Sequence, residues 1–110
     1  MSYEVRFSEE AESNILAIHD WIARRSADGA SKWLVALESA VGRLAEFADS
    51  LGVAPEAAVF QDRIKQILFK TRSGNVYRAI FVLRGQTVHV VSVRGTGQDI
   101  LKPGELELPE

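Results

Sequence analysis

The 110-residue chain contains no cysteine. That excludes disulfide frameworks, thiolate metal sites and cysteine nucleophiles. No stretch approaches the roughly 20 apolar residues needed to span a bilayer. The start, "MSYEVRFSEEAE", lacks the charged-then-apolar pattern of a secretion signal. Internal repeats and low-complexity tracts are also absent. The expectation is a soluble, cytoplasmic protein with no metal and no cofactor. Residues 1–110 read as one domain, ending in an irregular tail over residues 95–110, and the length suffices for a single core.

What is present is ordinary in bulk and uneven in detail. Hydrophobic residues make up 46% and charged residues 25%, as in many globular proteins. The net charge of −2 hides an asymmetry. Residues 1–62 hold five basic and eleven acidic side chains, whereas residues 63–102 hold eight basic and one acidic. Three glutamates close the chain. A basic block of this kind suggests an acidic partner, RNA, DNA or an acidic peptide. Neutralisation by the acidic helices within the fold is the alternative.

"YEVRF" alternates and predicts a strand, with Tyr3, Val5 and Phe7 on one side. Ser8 followed by Glu9, Glu10 and Glu12 predicts a capped helix start. Ala11, Ile15, Ile18 and Ile22 then form one apolar stripe. "SADGAS" at 26–31 breaks the pattern, and a second helix carries Trp33, Leu37, Ala40, Val41, Leu44 and Phe47. The short link predicts a helix hairpin, with Trp21 and Trp33 in its packing. Residues 49–62 read as a loop of a length that commonly covers or binds something. Strands follow at 63–70, 75–84 and 87–94, joined by short glycine-containing turns. The prediction is an α+β fold: a small antiparallel sheet in the order β-α-α-β-β-β, a helix hairpin on one face and the other face open.

In the strand at 75–84, period two separates Tyr77, Ala79, Phe81 and Leu83 from Val76, Arg78, Ile80, Val82 and Arg84. The first set should meet the helices. Arg78 and Arg84 should then lie on the open face, so Arg78 is expected at a surface or groove rather than in the interior. Lys65, Lys70, Arg72 and Arg94 belong to the same basic region. His89 lies in the last strand, facing opposite to Val88 and Val90, and His19 sits beside Asp20 on the first helix.

"YEVRFSEEAESNI" at the start and "FKTRSGNVYRAIFVLRGQTVHVVSVRGTGQDIL" at the end resemble the RelE/ParE superfamily, toxins of bacterial type II toxin–antitoxin modules, over residues 3–101. The resemblance implies a growth inhibitor neutralised by a cognate antitoxin that wraps around it. RelE-like members cut messenger RNA on the ribosome, and ParE-like members poison DNA gyrase. A degenerate member would keep only antitoxin binding.

Metal-free RNA cleavage needs a base, an acid and cations that stabilise the phosphorane. Arg78 and Arg94 resemble the strand arginines that do the last job in the nuclease branch, with Lys70 or Lys65 as base and Arg72 assisting. Lys65, Arg72, Arg84 and His89 are candidates for nucleic-acid or target contact. Nuclease members usually carry a tyrosine or histidine just after the last strand, and residues 95–110 contain neither. The resemblance therefore leans toward the gyrase mode, with the ribosome-dependent nuclease as the alternative.

Overall fold

The computed structural model describes residues 2–60, 63–72, 74–96, 101, 105, 108 and 109, with the side chains of 59 and 60 excepted. Its elements are β1 (Glu4–Phe7), α1 (Glu9–Ala23), α2 (Ala27–Phe47), a 3-10 turn (Ala48–Ser50), a four-residue helix α3 (Ala57–Phe60), β2 (Lys65–Phe69), β3 (Tyr77–Arg84) and β4 (Thr87–Gly95). The α+β class and the element order match the prediction. The sheet, of order β1-β4-β3-β2, is mixed rather than wholly antiparallel. β1 runs parallel to β4: the helix hairpin carries the chain from β1 to β2 at the opposite edge, and two antiparallel turns through β3 then bring β4 back beside β1.

Local chemistry sets the helix ends. Ser8 Oγ accepts from the Ala11 N–H at 3.0 Å, capping α1, and Ser26 Oγ accepts from the Gly29 N–H at 2.9 Å, capping α2. The second helix therefore begins inside "SADGAS", one residue after its serine. The break lies at Arg24–Ser26, shorter than the residue pattern implied. Trp33 packs in the core, tilted against Phe69 and edge-on to Tyr77. Trp21 does not share that role. It is 47% exposed and lies beneath the Arg25 guanidinium at 4.2 Å, a cation–π contact on the surface.

The helix-facing core joins Ala11, Trp33, Leu37, Ala40 and Leu44 to Ile67, Phe69, Ala79, Phe81, Val88, Val90 and Val93 of the sheet. β3 and β4 pair antiparallel with one bulge. Ile80 faces Ser92 and Phe81 faces Val90, leaving Val91 between them. The bulge changes the facing of β4, so Val90 and Val93 both reach the helices while Val91 turns away. α1 closes the polar groups exposed there. The Ser8 N–H donates to the Val90 carbonyl, Ser8 Oγ donates to the Val91 carbonyl, and Asn14 Oδ1 accepts from Ser92 Oγ and the Val93 N–H.

The second sheet face, expected to be open, is covered. Ile80, Val82 and Val91 form another buried cluster with Ala54, Ile64 and Leu101, and Ala57 and Leu108 pack against it. Residues 52–54 run beside the outer edge of β2, with Ala54 N–H donating to the Ile64 carbonyl and Gln66 N–H to the Gly52 carbonyl. Within the stretch read as a loop, Ala54, Glu56 and Ala57 thus lie over this face. Among the described residues, no helix is long and apolar enough to cross a membrane.

Candidate functional site

The covered face is built around Arg78. Its Nη1 donates to Glu56 Oε1 at 2.7 Å and its Nη2 to Glu56 Oε2 at 2.6 Å, a fork-on-fork pair. Nη1 also donates to Gln66 Oε1 at 3.2 Å. Glu56 Oε2 accepts a further bond from the Leu101 N–H at 3.0 Å. Arg78 is 5% exposed and Glu56 is fully buried. The expectation of a surface- or groove-facing Arg78 is therefore corrected. Period two placed it on the right face, but the loop and tail residues close over that face.

Burial by itself pushes the Glu56 carboxyl up. The hydrogen bonds from Arg78, the Leu101 N–H and its own N–H, with the guanidinium charge, outweigh that and hold it below the ordinary carboxylate range. An ion pair in this setting remains charged, with its donors and acceptors directed inward. It joins three separate pieces of chain: β3, the turn before α3 and the segment at Leu101.

The other candidates do not converge on Arg78. Arg94 pairs directly across from it on β4 and shares its face, half-buried. Arg84 also shares that face but lies six residues along β3, about 20 Å away at strand rise. Ile80 and Val82 lie buried between them. Lys65 pairs with Phe81 and so projects to the opposite face from Arg78, whose β2 partner is Leu68. It is buried, and its Nζ donates to the Asp49 carbonyl at 2.7 Å. Lys70 and Arg72 are exposed beyond the end of β2. His89 is half-buried opposite Val82, with Arg6 as its β1 neighbour. Among the described residues, no group of three or more histidine and acidic side chains is placed to hold a metal.

A family model described as the ParE toxin of the type II toxin–antitoxin system, parDE, matches residues 5–100. No curated protein matches the sequence. The chain belongs to the ParE toxin family. The match spans β1 through β4 and includes both arginines of the β3–β4 pair, so the resemblance read from the sequence holds over nearly its whole length.

This ParE-family chain keeps large apolar side chains at its surface. Leu16 is 67% exposed and Val35 66%, and Phe47, Val53 and Leu68 are each about half exposed or more. Val35 lines an open groove of about 370 Å³ with Ala36, Ser31, Ser39 and Thr71, flanked by Lys32 and Arg72. Arg43, on the same helix, donates to the Leu68 carbonyl at the outer edge of β2 at 3.4 Å.

Sequence reasoning missed Glu56, Gln66 and Asn14. A signal for Glu56 was present: it is the sole charge in "LGVAPEAAVF", an apolar stretch otherwise without ionic side chains. An isolated acid in an apolar loop and an isolated arginine in an apolar strand each need a partner, and each is the other's. Gln66 and Asn14 carried no such signal, since their roles depend on register.

Proposed function

We propose that this chain is the toxin of a cytoplasmic toxin–antitoxin pair. In this reading it is silenced by a cognate antitoxin and inhibits growth by binding its target, DNA gyrase, rather than by cutting RNA. The observation that carries the choice of mode is the Glu56–Arg78 pair. A cation that stabilises a phosphorane must reach a transferring phosphate. Arg78 is sealed from solvent and its charge is neutralised by a carboxylate at 2.6 Å. The candidate base Lys65 projects from the other sheet face, and residues 95–110 supply no tyrosine or histidine. A binding toxin requires none of these groups to converge.

The exposed apolar residues support the antitoxin part of the reading. The groove around Val35 fits an apolar segment, and Lys32 and Arg72 at its margins favour one carrying acidic side chains.

Induction of the chain in bacteria, followed by parallel measurement of mRNA decay and the DNA damage response, tests the mode. Damage signalling with intact mRNA is the expected result, together with inhibition of purified gyrase. Rapid ribosome-dependent mRNA loss overturns it. The double variant Glu56→Leu/Arg78→Met sharpens the test, because it removes the charges while keeping an apolar fill. It should stay toxic; a folded, antitoxin-binding double variant without toxicity would make Arg78 a functional residue.

A further inference from the structure

Both tryptophans of the chain line a single cleft of about 220 Å³. It opens where the end of α1 and the start of α2 meet the turn between β2 and β3, and Ile22, Tyr77, Thr71 and Asn75 complete most of its wall. Trp33 is buried, yet its indole N–H has no acceptor among the described residues. Packing against Phe69 and Tyr77 accounts for the ring but not for this group. An indole N–H can only donate, and a buried donor left unmatched costs free energy. The segments that form the cleft, residues 20–32 and 70–77, carry five basic and two acidic side chains, all exposed. One of the two acids, Asp28, is bound to Lys32 at 2.9 Å.

We propose that this cleft binds a nucleotide, taking the base inside and leaving the phosphate to the arginines around it. Three ligand classes suit aromatic walls: cations, apolar rings and nucleobases. A cation is disfavoured, because the Arg25 guanidinium already lies over the Trp21 ring and the surrounding charge is positive. An apolar ring would use neither the unmatched donor of Trp33 nor the exposed carboxamide of Asn75. A nucleobase combines a face that stacks on aromatic side chains with an edge of acceptors and donors, and it brings an anion with it. The volume fits this division. It falls below the roughly 300–1,000 Å³ of sites that enclose whole drug-sized ligands, so one ring system enters and the phosphate stays outside. Arg25 is placed there by its contact with Trp21, and Arg72 by the adjoining groove that shares Thr71 with the cleft.

The test is titration of the full chain with adenosine monophosphate, followed by quenching of the two tryptophans and by calorimetry. Saturable quenching is the expected result, and its absence overturns the proposal. Trp21→Leu, at a half-exposed position, should weaken the calorimetric affinity tenfold or more, and Arg25→Gln and Asn75→Ala several-fold each. Trp21→Phe keeps a ring and should restore most of the binding, so a folding defect in Trp21→Leu is separable from loss of the site. Arg6→Gln removes a cation from β1, outside the cleft, and should weaken binding less than twofold. Equal losses for Arg25→Gln and Arg6→Gln, or ribose 5-phosphate binding as tightly as the nucleotide, would reduce the effect to bulk charge and overturn the proposal. Indole binding as tightly as the nucleotide would overturn it in favour of an apolar pocket. Decadeoxyadenylate separates the two sources of a base with a phosphate. An affinity like that of the monophosphate assigns the site to a free nucleotide, and a hundredfold tighter one with the same Trp21 dependence assigns it to a single strand. The measurement uses neither gyrase nor antitoxin, so its outcome is independent of the proposed toxin mode.

Discussion

The two faces of β3 are buried to the same degree by different means. On one, Ala79 and Phe81 lie under two long helices in a cluster of apolar side chains. On the other, Ile80 and Val82 lie under a loop and a few residues beyond β4, and the cover is fastened through a charged pair. Helices bring a repeating apolar stripe that buries a sheet by area alone. A loop has no such stripe. Here a bidentate ion pair with a third hydrogen bond fixes where the loop sits, a directional device where non-directional burial is thin.

The two faces should therefore fail differently. Phe81→Ala on the helix face should cost about 3–5 kcal/mol through its cavity. Glu56→Ala should cost a similar amount, about 3–5 kcal/mol, by leaving Arg78 buried and unpaired. Urea unfolding measures both. Only the second loss should be rescued by a second change, with Glu56→Leu/Arg78→Met recovering most of the stability. A Glu56→Ala cost below about 1 kcal/mol, the range of an exposed pair, would mean the second face is open in solution.

Acid separates the faces next. The Glu56 carboxyl titrates lower in the folded chain than when unfolded, so its contribution is complete above the unfolded value, about 4.3 for glutamate. It is lost as pH falls from there through the lower folded value. Stability measured against pH should decline over that window in the wild type. The share due to Glu56 should vanish in Glu56→Gln, whereas Phe81→Ala should lower the whole curve without changing its shape.

The contrast also explains what was legible in the residues. Periodicity in "NVYRAIFVLR" separated the two faces of β3 correctly, and the helix stripe identified the cover of one. The second cover has no period to read. Ala54, Glu56, Ile64, Leu101 and Leu108 are scattered over 55 positions, and only the folded chain gathers them. The basic block was legible as charge, but its members divide between two faces and the strand ends. Charge counting assigns residues to a segment; register decides which of them meet. The parallel placement of β1 beside β4 was likewise invisible, since strand alternation carries no direction.

The bulge at Val91 is the seam between the faces, because it turns one residue of β4 toward each cover. Asn14→Ala should cost about 1–3 kcal/mol, the range for a buried polar group left unsatisfied, since the Val93 N–H and Ser92 hydroxyl lose their shared acceptor. Hydrogen exchange at Val93 should report it directly. A loss confined to global stability, with Val93 exchange unchanged relative to its neighbours, would place the effect in α1 and not at the seam.

Ser8 gives the smallest effect and the finest discrimination. Its hydroxyl accepts from the Ala11 N–H and donates to the Val91 carbonyl, so it serves the helix cap and the bulge together. Ser8→Ala should cost about 1 kcal/mol if the cap dominates. Ser8→Gly separates the two roles. Glycine at a cap position loses only a few tenths of a kcal/mol relative to serine, yet it supplies no donor for Val91. A glycine variant nearly as stable as wild type assigns the serine to the helix. A glycine variant as weak as the alanine one assigns it to the seam, where the two faces of the sheet part.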